Sequence, residues 1–129
     1  MGLTYATIEL ENARTNAKMP VKCLVDTGAL HLCIPEHVAI QLGFDLDNCQ
    51  HREVTLADGS RRRVPYAGPL LARFANRSCF IGALVLGNEP LLGAIPMEDM
   101  DLVVLPSTRQ LAVNPDNPNM AASVVKHLH

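Results

Sequence analysis

The chain has no tryptophan, and aromatic residues make up only 4% of its 129 positions, so any core it builds must be aliphatic. It carries no large excess of charge: the formal charge of −2 gives no footing for nucleic acid or an anionic membrane. No apolar run approaches the roughly 20 residues of a membrane span. The opening Met1-Gly2-Leu3-Thr4-Tyr5-Ala6 lacks the basic and apolar regions of a secretory leader. Ala6 also stands where a myristoylation signal has Ser or Thr, so a cytoplasmic location is expected. The cysteines Cys23, Cys33, Cys49 and Cys79 form no C-x-x-C pair, and free buried thiols are the expectation. Cys33, His37, Cys49 and His51 form two short Cys/His pairs, but C-x3-H and C-x-H are not zinc spacings. No metal and no cofactor are expected. Neither a repeat nor a low-complexity linker divides the chain, and its length suits one domain.

What is present centres on Lys22-Cys23-Leu24-Val25-Asp26-Thr27-Gly28-Ala29. Cys23-Leu24-Val25 reads as a short buried strand ending in a carboxylate, Asp26, where the chain leaves the sheet. Thr27 offers a hydroxyl to brace a tight turn, and Gly28 permits close approach that a Cβ would forbid. A carboxylate at the buried end of a strand is costly unless partnered, which points to chemistry. An ordinary Asx turn is the plain alternative. By average residue usage, a chance Asp-Thr-Gly occurs in roughly a few in a hundred chains of this length.

Elsewhere the pattern is that of short strands. Thr4–Asn12 alternates, with Ala6, Ile8 and Leu10 on one face, and should pair with Val21–Asp26 across a polar turn. Leu30–Ile34 reads as a further strand. Pro35, Val38, Ala39, Leu42 and Gly43 mark one short helix, with His37 on its solvated side. Arg52–Ala57 and Arg61–Tyr66 flank Asp58-Gly59, a dipeptide suited to a two-residue hairpin turn with positive φ. The polar flanks suggest that this hairpin projects from the body. Leu70–Phe74 and Cys79–Leu86 flank a turn at Asn76-Arg77, with Cys79–Leu86 apolar on both faces. Leu91-Leu92-Gly93 begins another buried stretch. A helical turn at Pro96–Met100 and strands at Leu102–Leu105 and Gln110–Val113 follow. Beyond Asn114 prolines break regular structure, although Ala121–Leu128 could form a short helix.

These motifs, in this order, resemble the retropepsin-like aspartic peptidases in their bacterial single-domain form. The resemblance implies a mostly β fold: a closed β-barrel with one short helix, carrying half of a two-fold active site. It assigns residues 1–114 to the domain and 115–129 to a C-terminal tail. Asp26 would be catalytic, with Thr27, Gly28 and Ala29 supporting its loop. Ala57, Asp58, Gly59 and Ser60 would form a flap. Read from the sequence itself, Arg61-Arg62-Arg63 is the only basic cluster: either a solvated edge that discourages strand aggregation, or one or two arginines, Arg61 and Arg63 the candidates, that face the cleft and favour acidic substrates. Leu91, Leu92 and Gly93 would pack beneath the loop. Amide hydrolysis by carboxylates needs two of them sharing one proton, one activating water and the other protonating the carbonyl oxygen. The chain has a single Asp-Thr-Gly, so the resemblance implies a homodimer acting on a peptide or protein substrate. An inactive dimerisation or peptide-binding module is the alternative. Retroviral members carry acidic residues where Leu30-His31 stands, a Gly-rich flap tip where Gly59 is alone, and an arginine after the downstream glycine where Ala94 stands.

Overall fold

The alternation that begins near Thr4 becomes strand β1 (Tyr5–Asn12), paired antiparallel with β2 (Lys18–Val25) from Tyr5↔Leu24 to Glu11↔Lys18. The computed structural model describes residues 2–126. Ile8 and Leu10 are buried on one face of β1. On the other, Glu9 and Glu11 grip the Arg73 guanidinium at 2.8 and 2.7 Å. Strand β3 (Leu32–Ile34) is shorter than the expected Leu30–Ile34, because Leu30 lends its carbonyl to a later helix. Helix α1 (Glu36–Gln41) follows Pro35, which caps it rather than opening its first turn, and Gly43 closes it at φ +85°.

The remaining elements are β4 (Gln50–Thr55), β5 (Arg61–Phe74), β6 (Arg77–Val85), β7 (Leu91–Leu92), α2 (Ala94–Asp99), β8 (Leu102–Leu105) and β9 (Gln110–Val113). The main sheet runs β1-β2-β7-β3-β6-β5-β4, and β1 pairs with β5 as well. That extra pairing closes the sheet on itself and leaves β4 attached outside the ring; β8 and β9 form a separate pair. Inside the ring lie Ile8, Leu10, Cys23, Leu32, Ile34, Leu70, Ala72 and Leu92. The buried cluster contains no aromatic side chain, and Phe44 and Phe74 only flank it. No helix among the described residues is long and apolar enough to cross a membrane.

Five further sequence expectations about the elements change. Arg61–Tyr66 and Leu70–Phe74 are one 14-residue strand, because Gly68-Pro69 is absorbed as a register shift between Ala67 and Leu70. The β5–β6 turn is Ala75-Asn76 rather than Asn76-Arg77: Ala75 takes φ 51°, and Arg77 opens β6 with its side chain buried. In β6, Phe80 is 72% exposed, and burial of successive residues begins only at Ala83. A second helix, α2, exists where a single helix and a helical turn were expected. Pro96 is its third residue, where a missing N–H costs nothing because the first turn's donors have no partner within the helix. Finally, Ala121–Lys126 is not helical, and the rest of that expected helix lies outside the described residues.

The segment after Asn114 is tied to the body. Arg77 donates to the Asn117 carbonyl, and Asn76 Nδ2 donates to the Pro118 carbonyl at 3.0 Å. Asp101 accepts from Asn114 Nδ2 at 3.1 Å, Asn117 Nδ2 at 2.8 Å and the Ala122 amide at 3.0 Å.

Candidate active site

Strand β2 delivers Asp26 to the edge of the ring, and the backbone of three segments converges on it. Val25 N–H donates to Thr4 O at 2.8 Å, and Asp26 N–H donates to Leu92 O at 3.0 Å. The carboxylate then shapes its own loop. Asp26 Oδ1 accepts the Gly28 N–H at 2.9 Å, and Asp26 O accepts the Ala29 N–H at 3.1 Å, an Asx turn. A Cβ on Gly28 would stand 3.2 Å from Asp26 Oδ1, so a side chain there would crowd the carboxylate. Asp26, Thr27 and Gly28 are all exposed in the single chain. The expected burial of Asp26 is thus corrected: the strand before it enters the core, but the loop emerges at the surface.

Strand β7 inserts between β2 and β3, parallel to the first (Leu24↔Leu91, Val25↔Leu92) and antiparallel to the second (Cys33↔Leu91). This brings Leu91, Leu92 and Gly93 against the loop, with Leu92 buried. A Cβ on Gly93 would lie 2.5 Å from His31 O and 2.6 Å from Leu30 C, so only glycine allows this approach. Helix α2 starts immediately after. Its first two amides, Ala94 and Ile95, donate to Ala29 O at 2.8 Å and Leu30 O at 2.9 Å. Donors that a helix leaves unpaired at its N-terminus therefore hold the loop that carries Asp26.

The hairpin of β4 and β5 has a tip different from the expected two-residue turn. Gly59 N–H donates to Leu56 O at 2.9 Å, Leu56 N–H donates to Ser60 O at 2.8 Å, and of Asp58 and Gly59 only Gly59 has positive φ, +84°. Ala57-Asp58-Gly59 is thus a three-residue loop with a glycine bulge. Asp58 accepts the Ser60 hydroxyl at 2.5 Å and the Ser60 amide at 2.9 Å. Those two bonds, the hydroxyl's first, hold its carboxyl below the usual aspartate range. Asp58 therefore stays in ordinary turn geometry and braces the tip with its side chain.

The arginines of the hairpin divide by side. Arg61 and Arg63 lie opposite Thr55 and Glu53, and Arg61 pairs with Glu53 at 3.1 Å. Arg62 lies opposite Val54 and points to the other side. Cys23 and Cys79 are pushed up to about 12, principally by burial, and burial also raises Cys33. Such thiols are protonated at neutral pH and poor nucleophiles. Among the described residues no three His, Cys, Asp or Glu side chains converge as a metal site, so Cys33, His37, Cys49 and His51 do not form one.

Two polar clusters escape the sequence reading: Glu9-Arg73-Glu11 on the outer face, and Arg77-Asp101 with the C-terminal segment. The Arg77 side chain is only 1% exposed and lies 4.0 Å from Asp101. The run of Asn and Asp between Asn114 and Asn119 is the one signal that could have pointed to the second.

Residues 11–117 match the sequence model of the aspartyl protease family. No curated protein matches the chain. Among solved structures it is similar to the retroviral protease-like domain of Ddi1 from Leishmania major, with a TM-score of 0.59, over 88% of this chain and 91% of that one, at 12% identity. A likeness at that identity speaks for the fold. The chain belongs to the aspartyl protease family and has a retropepsin-like fold.

Proposed function

We propose that the protein is an aspartic endopeptidase whose active site forms in a homodimer, with Asp26 contributed by each subunit. One observation carries this reading. The only Asp-Thr-Gly in the chain presents an exposed carboxylate on a loop fixed from three directions, which is half of what amide hydrolysis requires. Two such loops meeting on a two-fold axis give a pair of carboxylates sharing one proton. The ionised member takes a proton from water, and the water oxygen adds to the amide carbon. The protonated member supplies its proton to the carbonyl oxygen, giving a tetrahedral diol. Collapse of the diol, with a proton passed to the amine, breaks the C–N bond and restores the shared proton. Ala57–Ser60, braced by Asp58, would close over the peptide and exclude water.

The test is cleavage of a peptide library by the wild type beside Asp26→Asn, at a concentration where the chain is dimeric. Cleavage by the wild type alone supports the reading. Equal cleavage by both overturns it. A dimer that binds peptides without cleaving any identifies the protein as a binding module.

A further inference from the structure

Residues that face each other across neighbouring strands project to the same side of a sheet. From the candidate site, Leu24 lies opposite Leu91, Leu91 opposite Cys33, and Cys33 opposite Leu84. Leu84 in turn lies opposite Tyr66, and Tyr66 opposite Gln50. This row is on the side away from the core, since its chain neighbours Cys23, Leu92, Leu32, Ala83 and Ala67 all belong to the buried cluster. Asp26 comes two residues after Leu24 and leaves β2 on that same side. Counting by twos from Tyr66 adds Val64 and Arg62, and from Gln50 adds Arg52 and Val54. The β4–β5 register is unbroken from Thr55↔Arg61 to Gln50↔Tyr66, so the parity holds to the tip. Val64 and Leu84 are only 2% and 5% exposed although they face away from the core, so this side is recessed.

The two sides of the hairpin differ in charge. Arg61 and Arg63 share theirs with Glu53, which pairs with Arg61. The side shared with Asp26 carries Arg52 and Arg62 and no carboxylate from either strand. The Arg52 guanidinium is occupied, stacked 3.9 Å from the centroid of the Tyr66 ring. Arg62 has no ion-pair partner among the described residues. We propose that Arg62 is the hairpin's specificity residue, taking an acidic side chain of the bound peptide, and that Arg61 and Arg63 have no part in this selection. The proposal rests on the peptidase reading for the identity of the cleft, but it is a statement about binding.

The test uses the chain carrying Asp26→Asn, so that peptides are bound without turnover. Two pools of fluorescent random octapeptides, identical except for Glu or Gln fixed at one position, are titrated by anisotropy, with the fixed position scanned along the peptide. At one or more positions the Glu pool should bind about tenfold more tightly, as expected for a charge-assisted contact. Arg62→Gln should abolish that difference. Arg61→Gln and Arg63→Gln should keep it. Equal binding of the two pools, no binding of either, or a preference lost with Arg61 or Arg63 instead would overturn the proposal. Arg62 is exposed, and circular dichroism of the variant checks that its fold is intact. A Glu preference that depends on Arg62, in a chain whose Asp26-intact form cleaves nothing, would sink the peptidase reading and leave this one standing.

Discussion

Asp26 shapes its own loop through the Gly28 N–H and, in the proposed reading, also carries the chemistry, and the two roles can be separated. In Asp26→Asn the amide oxygen still accepts the Gly28 N–H, so the loop and the melting temperature should be preserved. Turnover should fall by at least about a hundredfold, because the general base is gone. Ala75 offers the opposite kind of test. Its φ of 51° is strained for a residue with a Cβ, and glycine would relieve it. Ala75→Gly should raise stability by about 1 kcal/mol in urea unfolding, with cleavage unchanged. The Asp-Thr-Gly after an apolar strand was legible in the sequence, since each residue has a local reason to be there. The exposure of Asp26 was not, because the apolar residues before it report on the strand and not on the loop. Arg77 was misread for a related reason: a cation beside Asn76 looks like part of a turn, and only the β5–β6 register shows that it points inward.

At the scale of elements, the β7–α2 unit supports the Asp26 loop, with Leu92 O, the Ala94 and Ile95 amides and Gly93 each placed against it. Gly93→Ala would push a Cβ into the His31 and Leu30 backbone, which cannot give way as a flexible side chain could. Urea unfolding should register a loss of about 1–3 kcal/mol, and the displaced loop should lose activity beyond what that loss explains. Of this unit, Leu91-Leu92 was legible as a buried stretch and the full helix was not. Gly93 and Pro96 look like helix breakers, yet they occupy the cap and the first turn, where neither residue disturbs the hydrogen-bond ladder. Strand β5 was divided for the same reason, since Gly68-Pro69 suggests an end and proves to be an irregularity within one strand. The β4–β5 hairpin itself was legible from Asp58-Gly59, but its loop length was decided by the bonds from Ser60 to Asp58.

Across the whole molecule, two arrangements join distant parts of the chain. One is the β1–β5 pairing that closes the ring. The other is Asp101, which gathers Asn114, Asn117 and Ala122. The Asn114 side chain, then the Ala122 amide, then Asn117 and the nearby Arg77 charge hold the Asp101 carboxyl below its ordinary value. A lowered folded-state value means that this stabilisation is present above the ordinary aspartate range of about 3.9 and lost as the solution is acidified through the folded-state value. Hydrogen exchange at the Ala122 amide should therefore be protected at neutral pH and lose protection in strong acid. In Asp101→Asn the pH dependence should vanish. The central claim concerns the whole assembly: neither subunit holds a complete site, and two Asp26 carboxylates act together. It is tested most directly by co-refolding wild-type chain with Asp26→Asn chain in equal amounts and measuring peptide cleavage at fixed total protein. Random pairing leaves about one quarter of the dimers with both carboxylates, so activity should fall to about one quarter of the wild-type value. Activity at one half, the value for subunits that each work alone, would contradict the account.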